Sequence, residues 1–161
     1  MILLDGKKTA LDIRSELKIE IDNLKASAEG VPGLVAILVG DDPASELYVS
    51  SKSKACNEIG MKTVSEKRSS ATSEKDVLSL IEHYNNNNEF HGILVQLPLP
   101  NQICEDKIIE AISPKKDVDG FHPVNVGKLV TGQDTFFPCT PYGVQEMLIR
   151  SGYSPNGKNI V

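Results

Sequence analysis

Cysteine is scarce in this chain. The three present, Cys56, Cys104 and Cys139, are odd in number and widely spaced, with no Cys-x-x-Cys pair. That pattern does not suit a disulfide framework or a zinc ribbon. Reduced thiols of the kind carried by cytoplasmic proteins are the expectation. Positive charge is also short: 17 Lys and Arg against 22 Asp and Glu leave a net charge of −5. Such a surface has no global attraction for phosphate backbones or anionic lipid, which sets aside nucleic acid and membrane as partners. No stretch approaches the run of about 18–20 apolar residues that spans a membrane. The N-terminal apolar run stops at Asp5, too short for a secretion signal. A P-loop, a Gly-x-Ser-x-Gly elbow and a Gly-x-Gly-x-x-Gly dinucleotide fingerprint are all missing.

What is present is the composition of an ordinary globular domain. Of 161 residues, 40% are hydrophobic and 24% charged. That is one domain's length, enough to bury roughly 70% of the surface of the unfolded chain. Leu11, Ile13, Leu17, Ile21 and Leu24 recur at helical steps and predict a helix from Lys8 to about Ser27. The unbroken run Leu34 to Val39, between Gly33 and Gly40, predicts a strand buried on both faces. A helix follows from about Ala44 to Ile59, stopped by Gly60. Met61 to Lys67 fits a more polar strand near an edge. Ser73 is placed to cap a third helix, whose stripe is Val77, Leu80, Ile81 and Tyr84.

His91 to Leu97 reads as a second buried strand, ended by Pro98 and Pro100. Short helices are expected over Cys104 to Ile112 and Pro123 to Val130. A last one has Thr140 as its cap, Pro141 at its first position and Val144, Met147 and Leu148 as its buried face. This alternation predicts an α/β fold, a three-layer α/β/α arrangement around a mostly parallel sheet. Ligands of such sheets bind beyond the carboxyl ends of the strands, here Val39-Gly40-Asp41 and Gln96-Leu97-Pro98.

The residues near those ends carry the candidate chemistry. Tyr48 and Lys52 are i and i+4, one turn apart on one helix face. Taken alone they read as a half-buried aromatic beside a solvated lysine. Gln96 is the one polar side chain in an apolar strand end. Its amide is either satisfied by neighbouring backbone or aimed at a ligand. In Lys116-Asp117-Val118-Asp119-Gly120-Phe121, one acid can cap the turn and leave the other free. With no third ligand at motif spacing, a metal site is not expected. The histidines, His83, His91 and His122, form no constellation, and surface positions are expected for all three.

Four blocks together resemble one family. They are Val39-Gly40-Asp41-Asp42-Pro43-Ala44-Ser45-Glu46-Leu47-Tyr48-Val49-Ser50-Ser51-Lys52, Gly92 to Pro100, Lys116 to Pro123, and Pro138-Cys139-Thr140-Pro141. In this order and spacing they are similar to the substrate domain of methylenetetrahydrofolate dehydrogenase/methenyltetrahydrofolate cyclohydrolase. The resemblance implies an enzyme of one-carbon metabolism. It oxidises 5,10-methylenetetrahydrofolate to the methenyl cation with NADP or NAD, then hydrolyses the cation to 10-formyltetrahydrofolate. It further implies that Lys52 is catalytic, with Gln96 supporting it. Tyr48 would pack on the folate and Asp119 would hold the pterin, with Ser45, Leu97 and Pro98 also lining the substrate site. A flat heteroaromatic ring suits an aromatic face, and one carboxylate can accept from the pterin's adjacent donors.

The resemblance also implies a Rossmann domain after the substrate domain. The expected division is 1–150 as the folate-binding catalytic domain and 151–161 as the start of a Rossmann domain, beginning a strand at Asn159-Ile160-Val161. The cofactor-binding glycines of the family have no counterpart in this sequence, so no cofactor is expected on this chain itself and little activity from it alone. A homodimer is implied for the complete protein. The competing expectation is a non-catalytic folate-binding or interaction module. A Tyr-x-x-x-Lys reductase is set aside, because the tyrosine comes too early and no cofactor glycines precede it.

Overall fold

The computed structural model describes residues 3–27 and 30–159. The order is α1 (Gly6–Ala26), β1 (Gly33–Val39), α2 (Pro43–Ile59), β2 (Lys62–Arg68), α3 (Glu74–Asn86), β3 (Gly92–Val95), α4 (Glu105–Ala111), α5 (Pro123–Val130) and α6 (Cys139–Arg150). The three strands form one parallel sheet in the order β2-β1-β3. Central β1 is covered on both faces, which explains its unbroken apolar run. Edge strand β2 alternates half-buried and exposed positions, as its polar sequence requires.

Alternation along β1 divides the core in two. Val35, Ile37 and Val39 point to one face, packed with Val77, Ile81 and Tyr84 of α3 and Ile108 of α4. Ala36 and Leu38 point to the other, with Leu94 of β3 and Val49 of α2. The crossover from β1 to β2 places α2 on one side. The return from β2 across β1 to β3 places α3 on the other, as right-handed connections demand. Beyond the carboxyl ends of β1 and β3 the winding reverses, the point where open sheets of this kind form a ligand crevice.

The caps follow the sequence. Asp42 precedes Pro43 at the start of α2, Gly60 ends it at φ 89° in the left-handed region, and Ser73 caps α3. The helix expected from Lys8 is present as α1, with only Ile21 buried and Leu11 and Leu17 exposed, because it packs chiefly on α2 and α6 rather than on the sheet. One expectation is corrected. In α6 no residue is buried: Val144 is exposed and Met147 and Leu148 are half-buried. That helix also begins two residues early, with Pro138 as its cap, so Thr140 and Pro141 lie inside the first turn. Pro141 is tolerated there because first-turn N–H groups have no helical partner. Residues 151–159 are turns and loop. The strand expected at Asn159-Ile160-Val161 depends on Ile160 and Val161, which lie outside the described residues. Among the described residues no helix is long and apolar enough to cross a membrane.

Candidate active site

Three segments meet at the reversal point: the first half of α2, the end of β3, and the acidic loop after α4. The Asp42 carboxylate accepts from the Ser45 N–H at 2.8 Å. The Ser45 N–H and hydroxyl hold that carboxyl below its ordinary range. Ser45 is itself buried. One turn on, Tyr48 is 58% exposed, its ring open to solvent beside the crevice. Lys52, a further turn along, is half-buried, and its Nζ donates to Gln96 Oε1 at 3.2 Å.

Gln96 sits just past β3. Its N–H still donates to Ile37 O at 2.9 Å, extending the ladder by one bond and fixing the backbone. Its side-chain Nε2 donates to Leu97 O at 2.8 Å, which leaves Oε1 turned to the lysine. One end of the amide is satisfied by backbone and the other meets Lys52. Leu97 is half-buried and Pro98 exposed, joined by a cis peptide bond.

The acidic loop is anchored before it reaches Asp119. Lys116 Nζ donates to Tyr84 O at 2.8 Å and Asn87 O at 2.9 Å, at the end of α3. Burial pushes that ammonium's pKa down. Ile93 N donates to Lys116 O, and Asp117 bridges β3 in parallel. Asp117, 2% exposed, accepts from Phe121 N, His122 N and Asn125 Nδ2. It is the turn-capping acid. Asp119 is left to the crevice, half-buried beside Val95, Leu97 and Phe121. Burial raises its carboxyl above the ordinary range, the Lys52 charge opposes that rise, and Asp117 adds to it.

Sequence reasoning assigned no role to Cys139 or Asn125. The Cys139 thiol lies 3.4 Å from Val118 O and 3.9 Å from Asp119 Oδ1. Burial and the Asp119 charge push the thiol up, away from thiolate. The available signal for Asn125 was a lone amide between two valines in a short apolar helix. His83 and His91 are exposed, as expected, and His122 is half-buried. His91 Nδ1 accepts from Gly33 N, and His122 Nδ1 caps α5 by accepting from Val124 N.

The starts of α2 and α3 do not suit a diphosphate. A diphosphate needs free N–H groups at a helix start without nearby negative charge. The α2 start already holds the Asp42 carboxylate, with Asp41 beside it, and the α3 start carries Ser73, Glu74 and Asp76.

An open parallel α/β domain with a lysine, an amide and a half-buried carboxylate at its strand ends defines a small-molecule enzyme domain of the doubly wound class. Comparison with known proteins narrows this. The family model described as tetrahydrofolate dehydrogenase/cyclohydrolase, catalytic domain, matches residues 4–119, and the chain belongs to that family. It is 52% identical over 159 residues to the bifunctional protein FolD of Magnetococcus marinus, covering 99% of this chain and 56% of that protein. Against FolD of Bacillus subtilis the identity is 51%, over 99% of this chain and 56% of that one. The chain thus spans little more than half the length of these relatives.

Among solved structures, the FolD dehydrogenase/cyclohydrolase of Campylobacter jejuni superposes with a TM-score of 0.91 at 48% identity, covering 94% of this chain and 54% of that one. The Trypanosoma brucei enzyme, solved with NADP and an inhibitor, gives 0.92 at 33% identity, covering 98% and 54%.

Proposed function

We propose that this chain is the substrate half of a methylenetetrahydrofolate dehydrogenase/methenyltetrahydrofolate cyclohydrolase. The reading rests on one juxtaposition: Lys52 hydrogen-bonded to Gln96 and electrostatically coupled to Asp119, at the strand ends of a member of this family. Asp119 accepts from the adjacent donors of the pterin, and its apolar surroundings strengthen those bonds. Tyr48 lies over the ring, with Ser45, Leu97 and Pro98 completing the wall. Lys52 serves the hydrolytic step. As water adds to the methenyl carbon, its proton passes to Lys52 Nζ, whose rotamer Gln96 fixes. Collapse of the adduct breaks the bond to the ring nitrogen, which takes that proton back, while the hydroxyl proton is lost to water as the formyl C=O forms.

The folate-binding unit is assigned to residues 1–150, with 151–161 opening a following Rossmann domain. NADP or NAD belongs to the complete protein, as NADP accompanies the Trypanosoma brucei relative. The cytoplasm is the compartment proposed, and its reducing conditions suit the free thiols of Cys56, Cys104 and Cys139. A homodimer is assigned to the complete protein.

Calorimetry of 5-formyltetrahydrofolate with the 161-residue chain tests the reading. Asp119→Ala is expected to weaken binding about 10- to 100-fold, the worth of a charged hydrogen-bond pair. Unchanged affinity overturns it. Lys52→Met with full cyclohydrolase turnover in a complete enzyme would remove the catalytic role. The chain alone is expected to show no dehydrogenase turnover, and measurable turnover would refute that.

A further inference from the structure

Asn125 is 2% exposed, and its side-chain hydrogen bonds all leave its own helix. Its Nδ2 donates to Pro114 O at 2.9 Å and to Asp117 Oδ2 at 2.8 Å. Its Oδ1 accepts from Thr135 Oγ1 at 2.9 Å. One amide therefore joins the turn that enters the acidic loop, the acid that closes it, and the segment leading to α6. Asp117 passes the constraint on, since its oxygens also hold Phe121 N at 3.3 Å and His122 N at 2.9 Å, just beyond Asp119. The far wall is equally tight. Gly120, at φ 68°, presses on the 136–138 backbone so closely that a Cβ there would meet Phe137 C at 2.8 Å.

We propose that Asn125 is a positioning residue, which sets the direction of the Asp119 carboxylate through Asp117 and the interlocked 135–139 segment. The proposal rests on the reading of Asp119 as the pterin acceptor. The residue type is specific to the task. An aspartate would set a second carboxylate against Asp117, and an alanine would leave Asp117, Pro114 O and the Thr135 hydroxyl short of partners inside the protein. Asn125 touches none of Tyr48, Lys52 or Gln96 by hydrogen bond, so its effect on ligand must pass through the loop.

The test is a double-mutant cycle, read by calorimetry of 5-formyltetrahydrofolate on the 161-residue chain. Asn125→Ala is expected to weaken binding about tenfold when Asp119 is present, and less than about twofold in an Asp119→Ala background. An equal factor in both backgrounds marks a merely structural residue and overturns the proposal, as does full affinity in Asn125→Ala. Affinity unaffected by Asp119→Ala instead overturns the substrate reading beneath it. If Asn125→Ala fails to fold by circular dichroism, Thr135→Val carries the same cycle, because it removes one hydroxyl at a half-buried position. Its expected loss is about threefold with Asp119 present and none without it. Equal losses overturn the proposal.

Discussion

Burial holds the Asp119 carboxyl above its ordinary range, and the Lys52 ammonium only partly offsets this. The folded chain therefore keeps a proton on Asp119 to higher pH than the unfolded chain does. Between the unfolded and folded values the native state binds more protons, so stability falls as pH rises through that window. Above the folded value the penalty is complete, and below the unfolded value it is absent. Asp119→Asn is accordingly expected to raise the melting temperature at pH 7, with the gain shrinking as pH is lowered toward the ordinary carboxylate range. Scanning calorimetry across pH checks it, and an unchanged or lower melting temperature at pH 7 contradicts it. The cost of the native carboxylate is then one that binding function retains against stability. The same substitution removes a charge that pushes the Cys139 thiol up. Alkylation of Cys139 by iodoacetamide near pH 8, followed by peptide mass, is expected to run faster in Asp119→Asn.

The acidic loop is tied to α3 by a side chain that composition would place in water. Lys116 donates to Tyr84 O and Asn87 O, giving each carbonyl a charged donor beside its backbone partner, Asn87 N and Phe90 N respectively. Lys116→Met keeps the apolar stem and removes both bonds. The expected cost is about 1–3 kcal/mol, read as a lower urea midpoint at unchanged slope. A midpoint within error of the parent would show that water replaces the lysine freely. At this level much of the fold was legible. The run Leu34 to Val39 announced a doubly covered strand, and Asp42, Gly60 and Ser73 marked helix ends because capping chemistry is local.

Lys52 and Gln96 were legible as separate oddities in the sequence. Their 3.2 Å hydrogen bond depends on β1 and β3 being neighbours, a long-range fact that no window of residues contains. Asn125 was not legible, because its partners at 114, 117 and 135 are assembled only by the loops. The stripe on α6 misled for the converse reason. Periodicity shows which face is apolar, while burial depends on what packs against it.

Stability is unevenly spread over the whole molecule. Val35, Ile37, Val77, Ile81, Ile93 and Ile108 are at most 1% exposed and join β1, β3, α3 and α4 into one unit. Outside it, α1 has a single buried residue and α6 has none. The two are clasped by Arg150, which donates to both oxygens of Glu16 at 2.7 and 2.8 Å while also meeting Glu146. Exposed ion pairs of this kind are screened and add little. The pair of helices should therefore open while the sheet and its covering helices stay closed. Native-state hydrogen exchange is expected to show α1 and α6 amides exchanging through a smaller free energy than those of β1, β3 and α3. Ile81→Ala, which empties a fully buried site, is expected to lower the protection of the β1–β3–α3 unit by about 2–5 kcal/mol. Its effect on α1 and α6 should be slight until global unfolding becomes the easier route. If α1 amides instead share the protection of β1 and fall with it in Ile81→Ala, the chain is one cooperative unit and the division is wrong.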